Sequence, residues 1–267
     1  MIIDEHFSPL LGTDLEAYVK AGDWVGAHHL ARYHWLLRVL GDYPHVKTVL
    51  DAGCGVGYGS YLLASRFPHL VVTAVDHDSK AISKAKKVYV APNLTFHVAD
   101  LVRWGSTVGE QQFDVVVCFD VLEHLAHREI MMENLVSHLS IEGMLFLSTP
   151  CGHAQDVLEP AWQSHKIEYS AASLYPFLRR FFEVVLRPDD SSLPHVDFFH
   201  ELEKAGIDYF LLLNPVVCLR PIEVANPYFR QDAQPSTTPG PEQSEGRCSP
   251  GLQSGHNLLR RIRRLLR

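Results

Sequence analysis

The sequence predicts an α/β fold built on a doubly wound, mostly parallel sheet with helices on both faces. Three observations predict it. Strand-sized apolar runs alternate with segments of helical spacing along most of the chain. Those runs are continuously apolar, as strands buried on both faces are. An aspartate, Asp51, Asp76, Asp100 or Asp120, closes four of them, where open α/β sheets bind ligands.

Taken in order, "GAHHLARYHWLLRVL" (26–40) has an amphipathic helical pattern and is expected to form a flanking or lid helix within a helical cap, residues 1–45. The main domain, 46–225, opens with the strand "VKTVLD" (46–51) and continues through "LVVTAVD" (70–76), "LTFHVAD" (94–100), "FDVVVCFD" (113–120) and "GMLFLST" (143–149). Helical segments separate them: "YGSYLLASRF", "SKAISKAKKVYV" and "HREIMMENLVSHL", the last placing Ile130, Leu135, Val136 and Leu139 on one face. Crossovers of this length imply parallel pairing with right-handed connections. "SAASLYPFLRRF" reads as a further helix, and "FFEVVLRP" and "DYFLLLNPVVCLRP" as later strands. Residues 226–256 are rich in Pro, Ser, Gly and Gln and are expected to be a disordered linker. The tail, 257–267, contains "NLLRRIRRLLR", which segregates leucines and Ile262 from arginines on a helix. It suits an anionic membrane surface or a partner groove, or else remains a solvated tail.

Of 267 residues, 46% are hydrophobic, enough for a sizeable core. The net charge is −7, and the last 41 residues hold seven of the 24 bases but only three of the 31 acids, so the preceding body is strongly acidic. An acidic body argues against nucleic acid as a partner. The five cysteines are scattered, which fits a reducing compartment without a disulfide framework. No long apolar run and no leader-like start are present, so a soluble cytoplasmic protein is expected, with peripheral contact at the inner membrane face if the tail binds lipid.

The stretch "VLDAGCGVGYGS" (49–60) reads D-x-G-x-G-x-G at a strand-to-helix turn. Such a turn exposes backbone and the free N–H groups of a helix start to a ligand. A nicotinamide-binding turn reads G-x-G-x-x-G instead. Acids at three successive strand ends match a ligand with an amine, a ribose diol and an adenine, without a pyrophosphate. Gly59 falls outside the pattern and is assigned to helix packing.

Together with "VTAVDHDSKAISKA", "LTFHVADL" and "FDVVVCFDVLEHL", this stretch resembles the ordered motifs of class I S-adenosylmethionine-dependent methyltransferases over roughly residues 25–220. The subgroup it resembles includes ubiquinone-biosynthesis O-methyltransferases and bacterial glycan and natural-product methyltransferases. The resemblance implies a Rossmann-like, seven-stranded mixed sheet and S-adenosyl-L-methionine as cofactor. It implies that Asp51, Gly53, Gly55 and Gly57 hold the methionine end, that Asp76 takes the ribose hydroxyls and that His77 lies against the adenine. Asp100 would accept from the adenine amine beside Leu101, and Phe119 and Asp120 would border the methyl-transfer end.

Methyl transfer from a sulfonium is an in-line displacement, so alignment does most of the work. A hydroxyl acceptor also needs a base, and His124 is the first candidate, with Glu123 beside it. His153, Trp162, His165 and Tyr169 follow in a long loop that can wall the acceptor. Asp120, Glu123 and His124, with His153 or His165, resemble in part the metal cluster of small-RNA 2′-O-methyltransferases. The metal-free subgroup shares the same phrase, so no metal is expected. The leading acceptor is a hydroxyl of a sugar, cell-surface glycan or pathway metabolite, followed by a quinone or phenol. The competing readings are an RNA 2′-O-methyltransferase, a non-catalytic cofactor-binding scaffold and, least suited to the turn, a nicotinamide-dependent dehydrogenase.

Overall fold

Asp14 and Asp23 start the first two helices by accepting hydrogen bonds from Glu16 N and Gly26 N, the usual role of an aspartate at an N-cap. The computed structural model describes residues 7–10, 12–103, 109, 111–152, 164–188, 193–204 and 214–222. The predicted linker and tail, along with His153 and Trp162, lie outside those residues. Helix α1 (Leu15–Ala21) ends at Gly22 in the left-handed conformation, and α2 (Trp24–Gly41) follows at once. Within α2, Leu30, Ala31, Trp35, Leu36 and Val39 are fully buried, so this helix is part of the core.

The core strands are β1 (Thr48–Ala52), β2 (Val71–Asp76), β3 (Leu94–Val98), β4 (Phe113–Phe119) and β5 (Leu139–Ser148). A short pair, β6 (Cys151–Gly152) and β7 (Tyr169–Ser170), precedes β8 (Phe182–Leu186) and β9 (Val216–Pro221). Seven strands form one sheet in the order β3-β2-β1-β4-β5-β9-β8. β1 pairs in parallel with both β2 and β4, β2 with β3 and β4 with β5, whereas β9 runs antiparallel to β5 and β8. The predicted mixed, mostly parallel sheet is therefore present. Strand order reverses between β1 and β4, which places the switch point at their carboxyl ends.

Helices α3 (Tyr58–Arg66), α4 (Ser79–Val88), α5 (Arg128–Ser137) and α6 (Ala171–Leu178) occupy the segments read as helical. In α5 the buried face carries Met131, Met132, Leu135 and Val136; Ile130 points outward, and Leu139 already belongs to β5. That strand starts early because Leu139 pairs with Phe113 across a register shift. The sequence reading missed α7 (Val196–Lys204), whose Phe199 ring lies 5.1 Å from that of Trp35. Trp35 Nε1 donates to Pro194 O at 2.8 Å. Among the described residues, no helix is long and apolar enough to cross a membrane.

Candidate functional site

The glycine turn joins β1 to α3 at the switch point. Gly53 and Gly57 both have φ of +87°, a region that side chains disfavour. A Cβ on Gly53 would meet Val121 Cγ2 at 2.3 Å, and one on Gly57 would meet Phe96 Cε1 at 2.6 Å. The turn is thus pressed against the residue beyond β4 on one side and against β3 on the other. Gly59 serves packing, as expected: a Cβ there would sit 2.0 Å from Tyr33 Cζ of α2.

Backbone amides of the turn point at the end of β2. Gly55 N donates to Asp76 Oδ2 at 2.8 Å, and Asp78 N donates to Asp76 Oδ1 at 2.8 Å. Asp76 is 4% exposed, and each oxygen keeps further lone pairs for a ligand. His77, next to it, is exposed. Asp51 is enclosed below the turn, where Ser60 Oγ donates to it at 2.6 Å and Tyr33 OH lies 3.1 Å from both carboxylate oxygens. Burial pushes the Asp51 carboxyl up to about 6, against the pull of those two hydroxyls.

Helix α2 closes the site with residues that the sequence reading did not single out. His29, Arg32 and Tyr33 follow i, i+3, i+4 spacing, and this polar stripe on an otherwise core-facing helix was the available signal. Arg32 Nη2 makes an ion pair with Asp120 Oδ2 at 2.6 Å, and Ser148 Oγ donates to Asp120 Oδ1 at 2.9 Å. Asp120 adopts φ of +53° just after β4. Phe7 stacks on His29, centroids 4.9 Å apart, and burial with the Arg32 charge lowers the His29 pKa to about 4. Phe7, His29, Arg32, Tyr33 and Asp120, with the glycine turn, line a cleft of about 70 Å³. Neither Asp76 and His77 nor Asp100 and Leu101 line it. Asp100 is exposed and accepts from Val102 N at 2.9 Å, while Leu101 is buried, its carbonyl accepting from Asn134 Nδ2 at 2.8 Å.

The three residues expected to handle protons do come together. Glu123 and His124 lie on a 3₁₀ turn, Leu122–His124, just after β4, and His165 returns to them: one ligand-type atom from each lies within 4.8 Å of the others. Lys166 N donates to Glu123 O at 2.6 Å and fixes that return. Glu123 is 1% exposed, and Thr149 Oγ1 donates to its Oε2 at 2.8 Å. Burial first, and the Asp120 charge second, raise its carboxyl to about 8.

A family profile described as a methyltransferase domain matches residues 49–143. The malonyl-acyl-carrier-protein O-methyltransferase of Bacillus cereus is 30% identical over 152 residues, 56% of this chain and 55% of that protein. Residues 49–143 thus carry a methyltransferase domain, set within the seven-stranded sheet. A ubiquinone-biosynthesis O-methyltransferase of Haemophilus ducreyi is similar to this methyltransferase domain at 33% identity, over 39% of the chain and 45% of the relative. The chain thus spans about half the length of the curated relatives it matches. Among solved structures, a plantazolicin methyltransferase crystallised with a desmethyl-plantazolicin analogue and S-adenosylhomocysteine shares the fold: TM-score 0.56, 14% identity, 78% of this chain and 92% of that one.

Proposed function

We propose that this chain binds S-adenosyl-L-methionine at the switch point and transfers its methyl group to an oxygen, with a hydroxyl of a sugar, glycan or pathway metabolite as the acceptor. The observation that carries this reading is the cleft itself. The Asp120 carboxylate and Arg32 guanidinium stand side by side against the glycine turn, and this donor set complements a zwitterionic amino-acid end. The Asp76 carboxylate, held by Gly55 N and Asp78 N, takes the ribose hydroxyls through its remaining lone pairs. Small-molecule sites are usually several times larger than this cleft. Phe7, which stacks on His29 at the cleft, therefore withdraws when the ligand enters.

When bound, the cofactor supplies an electrophilic methyl group: the acceptor oxygen forms the new O–C bond while the C–S pair returns to sulfur. The chain's own part is to align that oxygen and remove its proton. His124 and His165 gather beside Glu123 and provide proton-accepting groups there, while Glu123, its carboxyl raised to about 8, keeps its own proton at neutral pH. A carboxylate acceptor is already ionised at neutral pH and needs no such group, which favours a hydroxyl. The relatives above are named as O-methyltransferases, in keeping with transfer to oxygen.

Calorimetry with S-adenosylhomocysteine and NAD⁺, followed by labelled-methyl transfer to fractionated glycans, quinones and small metabolites, tests the reading. Binding of S-adenosylhomocysteine alone, with label in a hydroxyl-bearing fraction, is expected. Binding of NAD⁺ alone overturns it.

A further inference from the structure

We propose that the outer face of α4, together with the Ser8–Leu10 segment tied to it, docks on an anionic phospholipid surface. The sequence of α4, "SKAISKAKKV", holds four of the chain's eight lysines and no acid, in a body with a strong excess of acid. Lys80, Lys84 and Lys87 follow i, i+4, i+7 spacing and share one strip of the helix with Val88. The opposite strip, Ala81, Ile82 and Ala85, is buried. All four lysines are exposed, and among the described residues no carboxylate pairs with any of them. Lys84 Nζ donates instead to Ser8 Oγ at 2.8 Å, which brings the N-terminal segment onto the same face. Three apolar side chains accompany the cations. Leu10, two residues past Ser8, is 91% exposed, Val88 at the end of α4 is 58% exposed, and Val90 just beyond it is 74% exposed.

This composition decides the kind of partner. Protein–protein interfaces are depleted in lysine and enriched in arginine, whereas every cation on α4 is a lysine. An ammonium on a flexible stem is a hydrated point charge without the guanidinium's bidentate fork. A lipid surface asks for no such fork: it offers spread negative charge with hydrocarbon beneath, and lysines with leucine and valine among them match both layers.

α4 packs on β2 and on β3, the edge strand of the sheet. The docked flank is therefore the β3 edge, two strands from the switch point, and it leaves the cleft uncovered. Docking does not rest on the methyl-transfer reading.

Sedimentation of the full chain with vesicles tests this, comparing phosphatidylcholine alone with equal parts of phosphatidylcholine and phosphatidylserine. The wild type should sediment with the mixed vesicles and not with phosphatidylcholine alone. Each lysine near an anionic surface contributes about fivefold, so Lys80→Gln, Lys84→Gln and Lys87→Gln combined should weaken binding about 100-fold, while arginine at the same three positions keeps it. Leu10→Ser with Val88→Ser should weaken it about 10-fold through lost apolar contact. The basic C-terminal segment is present in every variant and cancels from these ratios. A loss below about threefold in either set, with an unchanged Tm to show that the variants fold, overturns the proposal. So does failure of the wild type to sediment with the mixed vesicles. Binding to poly-glutamate or single-stranded RNA without vesicle uptake also overturns it, because the lysines then serve an acidic protein or a nucleic acid.

Discussion

Replacing Asp51 by asparagine asks what the charge at the end of β1 costs the fold. In the folded chain this carboxyl titrates at about 6, against an ordinary 3.8. Between those pH values the folded state keeps a proton that the unfolded state has released, so stability falls as pH rises from about 4 to about 6 and then levels off. The gap corresponds to about 3 kcal/mol of stability absent at neutral pH. Asparagine carries no charge to desolvate, its amide oxygen can accept from Ser60, and a rotated Tyr33 hydroxyl can accept from its NH₂. Asp51→Asn should therefore gain about 3 kcal/mol on the wild type between pH 4 and pH 7, or roughly 6–12 °C in Tm for a domain of this size. Urea denaturation of both proteins across that range measures the difference, in which the other titrating groups largely cancel. A difference that does not change with pH refutes the assignment of a buried, desolvated carboxylate.

Asp76→Ala should weaken S-adenosylhomocysteine binding by about 1–3 kcal/mol, because Gly55 N and Asp78 N lose their acceptor along with the ribose; unchanged affinity by calorimetry removes the ribose assignment. Gly59→Ala drives a methyl into the Tyr33 ring and should cost about 1–3 kcal/mol in denaturation. Arg32→Met strips the partner from Asp120, which is 18% exposed at its side chain, and should cost about 3 kcal/mol. In a double-mutant cycle with Asp120→Asn, simple additivity would show that the 2.6 Å pair carries no coupling. His124→Ala should lower labelled-methyl transfer about 100-fold or more while S-adenosylhomocysteine affinity holds; near-normal transfer takes His124 out of the chemistry.

The five parallel strands were legible because a strand buried on both faces has no polar side to alternate with, as "VLDA" and "VVVCF" show. The positions of Asp51, Asp76 and Asp120 were legible for the same reason, since an acid after such a run has to lie at its end. The wall formed by α2 was not. Nothing in local periodicity says that Tyr33 will reach Asp51 or that Arg32 will reach Asp120, because those contacts depend on how the helix crosses the sheet. The cluster around Glu123 was half legible: the spacing of Glu123 and His124 lies in one turn, but the return of His165 is set by backbone hydrogen bonds to Glu123 O. Helix α7 escaped notice because a single helix of nine residues between irregular segments leaves little periodicity to count.

The buried charged residues among those described are Arg32, Asp51, Asp76 and Glu123. All four lie at the carboxyl ends of β1, β2 and β4 or on the helix above them, while the middle of the sheet is apolar. Burying charge is rarely the most stable choice for a core, so their concentration on one rim points to the ligand rather than to the fold. With Asp120 added, four carboxyl groups face one guanidinium in this region. The two whose carboxyls are raised, Asp51 and Glu123, are each restrained by donated hydroxyls. With Glu123 keeping its proton at neutral pH, three carboxyl groups around the cleft still outnumber the one guanidinium, a balance that attracts a cationic ligand and repels a pyrophosphate. It suits a sulfonium cofactor, which arrives positively charged, and it holds the neutral thioether product less tightly once the methyl group has left.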